Sequence, residues 1–209
     1  MGILISRRRG YAEPPKIPVL EFTDDAIKAI AVANWGGVTG GSTGIAGVAD
    51  EVTVQQANAV TSFGSVFNGA LTTSEDFNLF PNVKTLGDNA FGNYAGNVFK
   101  LPTNIKTIGH KFLYNSSGSA NTNTTRVEFG ANVTTVGQWC CRYRKNIQTI
   151  VCYATTPPTL NSYPFRNATA QDINTTFKIY VPDNSVDAYK AASQWSRWSS
   201  RILPLSHLT

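Results

Sequence analysis

A short motif recurs along this chain, and it constrains the fold more than any other feature of the sequence. It reads NVKTLGDNAF, NIKTIGHKFL and NVTTVGQWCC in three places, and a more degenerate copy precedes them. Fixed self-similarity at a period of about 20 to 29 residues is typical of solenoids, in which each repeat is one structural unit. The glycines that align the four copies, at intervals of 23, 22 and 28 residues, are Gly64, Gly87, Gly109 and Gly137.

Each position of the motif keeps its chemical character. An apolar residue directly precedes the glycine, a small hydroxyl residue stands two positions before it, and a β-branched residue stands four before it. This alternation predicts a short strand with one apolar face, and the glycine predicts a turn with positive φ after that strand. The hydroxyl positions are Ser62, Thr85, Thr107 and Thr135.

An apolar residue three positions after each glycine completes the unit. Phe67, Ala90, Phe112 and Cys140 occupy this position. One repeat cannot bury such a residue alone, whereas stacked neighbours form a continuous core. The repetition is therefore architectural, and Cys140, with Cys141 and Cys152, is expected to fill the core as a small hydrophobe.

The third interval is long because it contains NSSGSANTNTT, residues 115–125. This polar, low-complexity insert is expected to form an exposed loop. Two degenerate copies follow the three clear ones. They predict a strand over residues 147–152 and a last strand over residues 177–182.

Helical segments are predicted on both sides of the repeats. DDAIKAIAVANW predicts a helix with Asp24 or Asp25 as its N-cap, and VTVQQANAV predicts a short helix before the first repeat. NSVDAYKAASQWSRWSSRILPL predicts a helix that begins at Asn184 or Ser185. Because terminal repeats need capping, we expect a helical N-terminal cap over 21–58, a solenoid over 59–182, and a cap helix with a tail over 183–209.

The repeat unit, the stretch TPPTL followed by Phe165, and the ending IYVPDNSVDAYKAASQWSRWSSRILPL resemble the BspA-like leucine-rich repeats. These repeats occur in surface proteins of gut anaerobes and in some of their bacteriophages. The resemblance implies a mixed, β-rich solenoid that serves binding rather than catalysis. Relatives often carry a calcium loop after the first helix, but here no carboxylate follows until Asp50 and Glu51, so no metal is expected.

Residues 1–20, MGILISRRRGYAEPPKIPVL, belong to neither cap nor repeat. Their prolines forbid helix and favour an extended arm, which we expect to anchor the chain to a partner. The aliphatic residues would fill a groove or add a strand, and the arginines would pair with acidic groups. The alternative is an arm that folds back onto its own solenoid. The expected partner-binding residues are Ile3, Leu4, Ile5, Arg7, Arg8, Arg9 and Tyr11.

Composition narrows the class of partner. Charged residues make up 15% of the chain, against roughly 25% in typical globular proteins. A surface rich in Asn, Thr, Ser and Gly suits neutral partners such as sugars or proteins. The net charge of +5 falls to +2 without residues 7–9, so nucleic acid is not expected as a partner. We also expect no secretory signal, because only three apolar residues occur near the start and they precede the arginines. No membrane span is expected, because no apolar run approaches about 18 residues.

No catalytic pattern is evident. The two histidines, His110 and His207, fall in a variable position of the repeat and in the tail. Glu75 and Asp76 are adjacent carboxylates, which are expected to point apart. The motif CRYRKN, residues 141–146, is interpreted as a solvated basic turn, with contact to an acidic partner as the alternative. We therefore expect no enzyme activity and no cofactor.

Three functions compete at this point. The first is a structural component of a bacteriophage virion, such as a capsid decoration, head fibre or tail accessory. In that case residues 1–20 would dock on other virion proteins, a homo-oligomer would form in the assembly, and the repeat face would contact a host-surface protein or glycan. The alternatives are an adhesin on the bacterial cell surface and a cytoplasmic scaffold.

Overall fold

The computed structural model describes residues 16–69, 71–114, 123–165 and 176–209. Within these ranges the chain winds in successive coils that build two parallel sheets. The strands are β1 (Thr85–Leu86), β2 (Val98–Lys100), β3 (Thr107–Ile108), β4 (Arg126–Phe129), β5 (Thr135–Val136), β6 (Thr149–Cys152), β7 (Thr159–Leu160), β8 (Lys178–Val181) and β9 (Ile202–Pro204). The first sheet has the order β1-β3-β5-β7, and the second has the order β2-β4-β6-β8-β9.

The register of the first sheet confirms the alignment of the repeats. Thr85 pairs with Thr107, Thr107 with Thr135, and Thr135 with Thr159, while Ser62 joins Thr85 through a parallel bridge. The motif therefore repeats once per coil. Its apolar positions form the core, because Phe63, Leu86, Ile108, Val136, Phe67, Ala90, Phe112 and Cys140 are all buried.

The prediction that each motif glycine adopts a positive φ is wrong for three of the four. Gly64 has a φ of 55°, whereas Gly87, Gly109 and Gly137 do not lie in the left-handed region. The left-handed residue stands two positions later in the coil, where the φ angles are 56°, 55° and 56°. The residues in this position are Asn89, Lys111 and Trp139.

Close stacking of the coils explains why these positions hold glycine. A Cβ on Gly109 would lie 2.6 Å from the carbonyl carbon of Gly87, and one on Gly137 would lie 2.3 Å from the carbonyl oxygen of Gly109. One on Gly87 would meet the backbone of Gly64 at 2.7 Å. The glycines thus form a column in which each allows the next coil to approach.

The asparagine that opens each motif forms a second column. The Asn82 side chain donates to the carbonyl of Asn58, and that of Asn104 donates to the carbonyl of Pro81. Asn132 donates in the same way to Thr103, at 2.9 Å. These bonds satisfy carbonyls at the corner between the two sheets and link neighbouring coils.

Two helices precede the first coil. Helix α1 (Asp25–Trp35) begins at the N-cap Asp24, as predicted, and α2 (Val54–Ala59) begins with a capping box. The ring of Trp35 lies 5.2 Å from that of Phe80, so α1 packs on the core of the first coils. Leu20 donates to the carbonyl of Val52, so the described end of the expected arm lies against the domain.

The prediction of one long helix at the C-terminal end is wrong. Helix α3 covers only Val186–Ala191, because Ala192 is extended and Gln194 has a φ of 67°. A 3-10 helix, Trp195–Arg201, then turns Trp195 and Trp198 into the core. The backbone kinks at Trp198, whose φ of −109° and ψ of 24° are not helical, and both indoles are buried. Strand β9 follows and extends the second sheet beside β8.

The expected exposed loop over residues 115–125 is only partly within the described ranges. Residues 115–122 lie outside them. The expectation is wrong for Thr124, which is buried and whose hydroxyl donates to the carbonyl of Gly96 at 2.8 Å. The end of the insert therefore belongs to the coil.

Candidate binding groove

A groove of about 560 Å³ lies where strands of the second sheet turn towards the first. It crosses the ends of three successive coils, after β2, β4 and β6, and each coil contributes side chains to its wall. Most of its lining residues are polar or small, but the surface that they turn to the groove is mainly apolar, and it includes the exposed ring of Tyr153. The lining residues are Glu75, Asn78, Lys100, Leu101, Thr103, Glu128, Gly130, Ala131, Asn132 and Tyr153.

The parallel register places Tyr153 beside Glu128. Phe129 pairs with Cys152, and the carbonyl of Phe129 accepts a hydrogen bond from the backbone N–H of Tyr153. The Tyr153 hydroxyl donates to Oε2 of Glu128 at 2.9 Å. The outer end of Tyr153 is thus anchored, while 37% of the residue remains exposed.

Glu128 is the buried acid of the groove. Only 8% of it is exposed, and its second oxygen, Oε1, lies 2.7 Å from Nε of Arg126. Burial, followed by the hydrogen bond to Glu128, raises the pKa of the Tyr153 phenol. The phenol therefore remains a hydrogen-bond donor at neutral pH, and the three side chains form a fixed unit.

The opposite wall carries opposite charges and amides. Nζ of Lys100 lies 3.6 Å from a carboxylate oxygen of Glu75. The side-chain oxygen of Asn78 accepts from the backbone N–H of Thr103, and Asn132 is held by its bond to the carbonyl of Thr103. The amides of Asn78 and Asn132 are therefore oriented by the backbone of Thr103 before any ligand arrives.

A second depression of about 470 Å³ continues this groove. It shares Ala131 and Asn132 with the first and extends past Thr134 to the residues 154–159. Its lining contains four threonines, against one in the first groove, and includes Pro157 and Pro158. The two depressions adjoin at Ala131 and Asn132.

The residues predicted for partner binding through the arm, Ile3, Leu4, Ile5, Arg7, Arg8, Arg9 and Tyr11, lie outside the described residues. The repeat-defining residues Gly64, Gly87, Gly109 and Gly137 lie in the coil stack rather than in the groove. His110 is exposed and links neighbouring coils. Its backbone N–H donates to a carboxylate oxygen of Asp88, and its ring Nδ1 accepts from the backbone N–H of Gln138. This places His110 in the scaffold.

Glu75 and Asp76 do point apart, as predicted. Glu75 lines the groove, whereas Asp76 is buried. The Asp76 carboxylate accepts hydrogen bonds from the N–H and hydroxyl of Thr23 and from the N–H of Asp24. Asp76 therefore ties the start of α1 to the first coils.

The three cysteines are buried free thiols, which confirms their interpretation as core residues. Burial raises the pKa of Cys140 and of Cys152. A thiol with a raised pKa is a poor nucleophile at neutral pH. In the described ranges, no group of three or more His, Cys, Asp or Glu side chains is arranged to hold a metal ion.

The interpretation of residues 141–146 as a solvated basic turn is wrong for Arg144. Only 1% of Arg144 is exposed. Its guanidinium donates to the carbonyls of Leu113, Tyr94 and Gly92 at 2.8, 2.6 and 2.9 Å. Arg144 thus joins its own coil to the two before it, because it satisfies carbonyls that would otherwise be buried without partners.

Sequence reasoning missed both Glu128 and Tyr153. A signal for Glu128 was present, since it stands between two core residues in RVEF and two positions after an arginine. Tyr153 follows the strand TIVC directly, where the second sheet ends. Only the register of the coils shows that these residues, 25 positions apart, meet.

Two parallel sheets wound from coils of this length define a leucine-rich-repeat type of solenoid. The family model described as the BspA type leucine rich repeat region matches residues 64–186 with six copies. The chain therefore belongs to the BspA-type leucine-rich-repeat family, and this family indicates a role in binding. A search of curated proteins finds no match. Among the helices of the described ranges, none has both the length and the apolar character needed to cross a bilayer.

Proposed function

We propose that this chain is a non-catalytic recognition protein whose groove binds a neutral glycan. The observation that carries the proposal is the anchored ring of Tyr153 in a groove lined by carboxylate, amide and hydroxyl groups. An exposed aromatic ring offers a flat apolar surface to the C–H face of a sugar. The polar groups around it match the hydroxyls at the sugar's edge.

Preorganisation strengthens this interpretation. Tyr153 is fixed by Glu128, and Glu128 is fixed by Arg126, so the ring loses little freedom when a ligand stacks on it. Groups that are ordered before binding cost less entropy on association. The continuation of the groove past Asn132 and Thr134 would accept further sugar units of the same chain.

The same geometry argues for binding over hydrolysis. A glycosidase uses two carboxyl groups that flank the scissile bond and exchange protons with the substrate. Here both oxygens of Glu128 are engaged, one by Tyr153 and one by Arg126. Glu75, in turn, lies within ion-pair distance of Lys100. The carboxylates therefore position the neighbouring side chains Tyr153, Arg126 and Lys100.

A glycan array with the full chain and two variants tests this proposal. Wild-type protein should bind a subset of neutral glycans, and Tyr153→Ala should lose them. Tyr163→Asn is the matched control, because Tyr163 is comparably exposed, lies outside the groove, and has a left-handed backbone that asparagine tolerates. No bound glycan, or equal binding by Tyr153→Ala, would refute the proposal.

The setting that we propose is a bacteriophage virion, in which the chain serves as a capsid decoration, head fibre or tail accessory. Residues 1–20 would dock it to other virion proteins, and the groove would face the host surface. The family resemblance and the basic, proline-rich composition of this segment support the proposal.

The docking proposal is tested by deleting residues 1–15, which leaves intact the pairing of Leu20 with Val52. The shortened chain should fold normally, with an unchanged unfolding midpoint, but should no longer be recovered on purified phage particles. Recovery equal to that of the full chain would contradict docking through this segment. Glycan binding by the shortened chain should be unchanged, so the two proposals fail separately.

A further inference from the structure

A second surface lies at the other connection of the coil, after β3 and after β5 in two successive coils. Five side chains form it, and all are half-buried. They combine two cations with three aromatic rings, and none of them lines the groove. We name this set the basic aromatic cluster: Lys111, Tyr114, Trp139, Arg142 and Tyr143.

The rings hold the cations in place. The guanidinium carbon of Arg142 lies 4.6 Å from the ring centre of Trp139 and 4.7 Å from that of Tyr143, and Nη2 donates to the Tyr143 hydroxyl at 2.9 Å. Nζ of Lys111 lies 5.7 Å from the ring centre of Trp139 and 5.6 Å from that of Tyr114. These are cation–π distances, so both charges are positioned before any partner binds.

Among the described residues, no carboxylate forms an ion pair with the cations of the cluster. In the part of the chain that the structure describes, the carboxylates that form ion pairs do so with Lys28, Lys100 and Arg126. Neither Lys111 nor Arg142 has such a partner there, and the buried Nε of Arg142 has no hydrogen-bond acceptor. Exposed Lys145 adds a further charge nearby. The surface is therefore complementary to a negatively charged partner.

The backbone under the cluster is unfavourable for its residues. Lys111 and Trp139 have φ angles of 55° and 56°, in the position that Asn89 occupies one and two coils earlier. The left-handed conformation costs most residues about 1 kcal/mol, and asparagine tolerates it best. Asparagine would adopt this backbone conformation at a lower cost than tryptophan does. Strain of this kind is typical of functional sites.

We propose that the basic aromatic cluster binds an acidic segment of a protein partner. Arg142 would pair with a carboxylate, Lys111 with a second, and Trp139 would contact an apolar side chain between them. Tryptophan, tyrosine and arginine are the residues that dominate the binding energy of protein interfaces. The cations cover ring faces on which the bases of a single-stranded nucleic acid would have to stack, which favours a protein partner.

The test measures fluorescence anisotropy of a short labelled peptide of alternating glutamate and leucine, with the full chain. A matched peptide with glutamine in place of glutamate and an oligothymidylate serve as comparisons. The acidic peptide should bind, the glutamine peptide should not, and added salt should weaken binding. No binding of the acidic peptide, equal binding of the glutamine peptide, or tighter binding of the oligothymidylate would overturn the proposal.

Two variants locate the binding. Trp139→Asn and Arg142→Gln should each reduce affinity for the acidic peptide by about tenfold or more. Lys190→Gln is the control, because it removes one exposed charge on α3 and should leave affinity unchanged. The unfolding midpoint of Trp139→Asn should be equal to or higher than that of wild type, so lost binding cannot reflect misfolding. Full affinity in both variants would overturn the proposal.

Discussion

The Tyr153 hydroxyl donates a 2.9 Å hydrogen bond to Glu128, a residue of the preceding coil whose other carboxylate oxygen lies 2.7 Å from Arg126. Neither residue carries a sequence motif, and neither is part of the core. Their contact exists because the solenoid stacks the ends of β4 and β6 in register. The stacking of the repeats therefore places two residues that are distant in the chain side by side in the groove.

Replacing Tyr153 by phenylalanine separates the hydrogen bond from the ring. Tyr153→Phe keeps the stacking surface but leaves the ring unanchored, so glycan affinity should fall several-fold, less than in Tyr153→Ala. The free energy of unfolding should change by only about 0.5–1.5 kcal/mol, the usual net value of one hydrogen bond. Calorimetric titration and urea unfolding measure the two effects. Unchanged affinity would show that the bond to Glu128 does not orient the ring for binding.

Gly109→Ala tests the column of glycines. The added Cβ would lie 2.6 Å from the backbone of Gly87, which cannot move without separating the coils. We expect a loss of about 1–3 kcal/mol, as for other overpacked sites. Gly69→Ala is the control, because a Cβ there meets no atom within 4 Å. Equal unfolding midpoints for the two variants in urea would show that the coils do not require glycine.

Arg144→Met tests the bridge across three coils. Methionine fills a similar volume but leaves the carbonyls of Gly92, Tyr94 and Leu113 without this donor. We expect a loss of about 3–5 kcal/mol, because several buried polar groups lose their partner together. Lys145→Met changes an exposed neighbour and should be nearly neutral. If both variants unfold at the same urea concentration, the hydrogen bonds of the buried guanidinium do not add to the free energy of unfolding.

Tyr94 gives the fold a dependence on alkaline pH. Burial raises its pKa from 10.0 to about 12, and its hydroxyl donates to the carbonyls of Thr72 and Val98. The folded state therefore holds this proton more tightly than the unfolded state. The stabilisation that this tighter proton binding gives the folded state is complete below pH 10, and it is lost as the pH rises to 12.

The free energy of unfolding should therefore decrease between pH 10 and pH 12. Tyr94→Phe should be less stable at neutral pH, because the carbonyls of Thr72 and Val98 lose a donor, but its decrease in this range should be shallower. Burial also raises the pKa of Tyr189, so a part of the slope should remain. If the free energy of unfolding decreases equally steeply with pH in wild type and variant, Tyr94 is not a source of the pH dependence.

The coil period and the sheet register could be predicted from the sequence, because they depend on chemistry that recurs at fixed intervals. Thr107 and Ile108 show the pattern well: a hydroxyl residue and an apolar residue in each copy determine which residues pair. The N-cap of α1 was predictable for the same reason, since capping is local.

What could not be predicted depends on neighbours distant in the chain. The glycine of the motif predicted a turn with positive φ, whereas the stacked coils show that Gly109 is required for its close approach to Gly87. The charge of Arg144 predicted a side chain exposed to solvent. Its guanidinium instead donates to backbone carbonyls that lie 31 to 52 residues earlier in the chain. The length of the C-terminal helix was overestimated, because the helical periodicity of the sequence could not show that the chain turns Trp195 and Trp198 into the core together.

The measurement that tests the central claim most directly is a titration of isotopically labelled protein with a glycan selected on the array. Amide chemical shifts would be followed residue by residue. Binding in the groove predicts shifts at Gly130, Asn132 and Tyr153 that saturate together, with small changes on α1 and in the basic aromatic cluster. Shifts confined to those other surfaces, or no saturable shift with any glycan, would contradict the account.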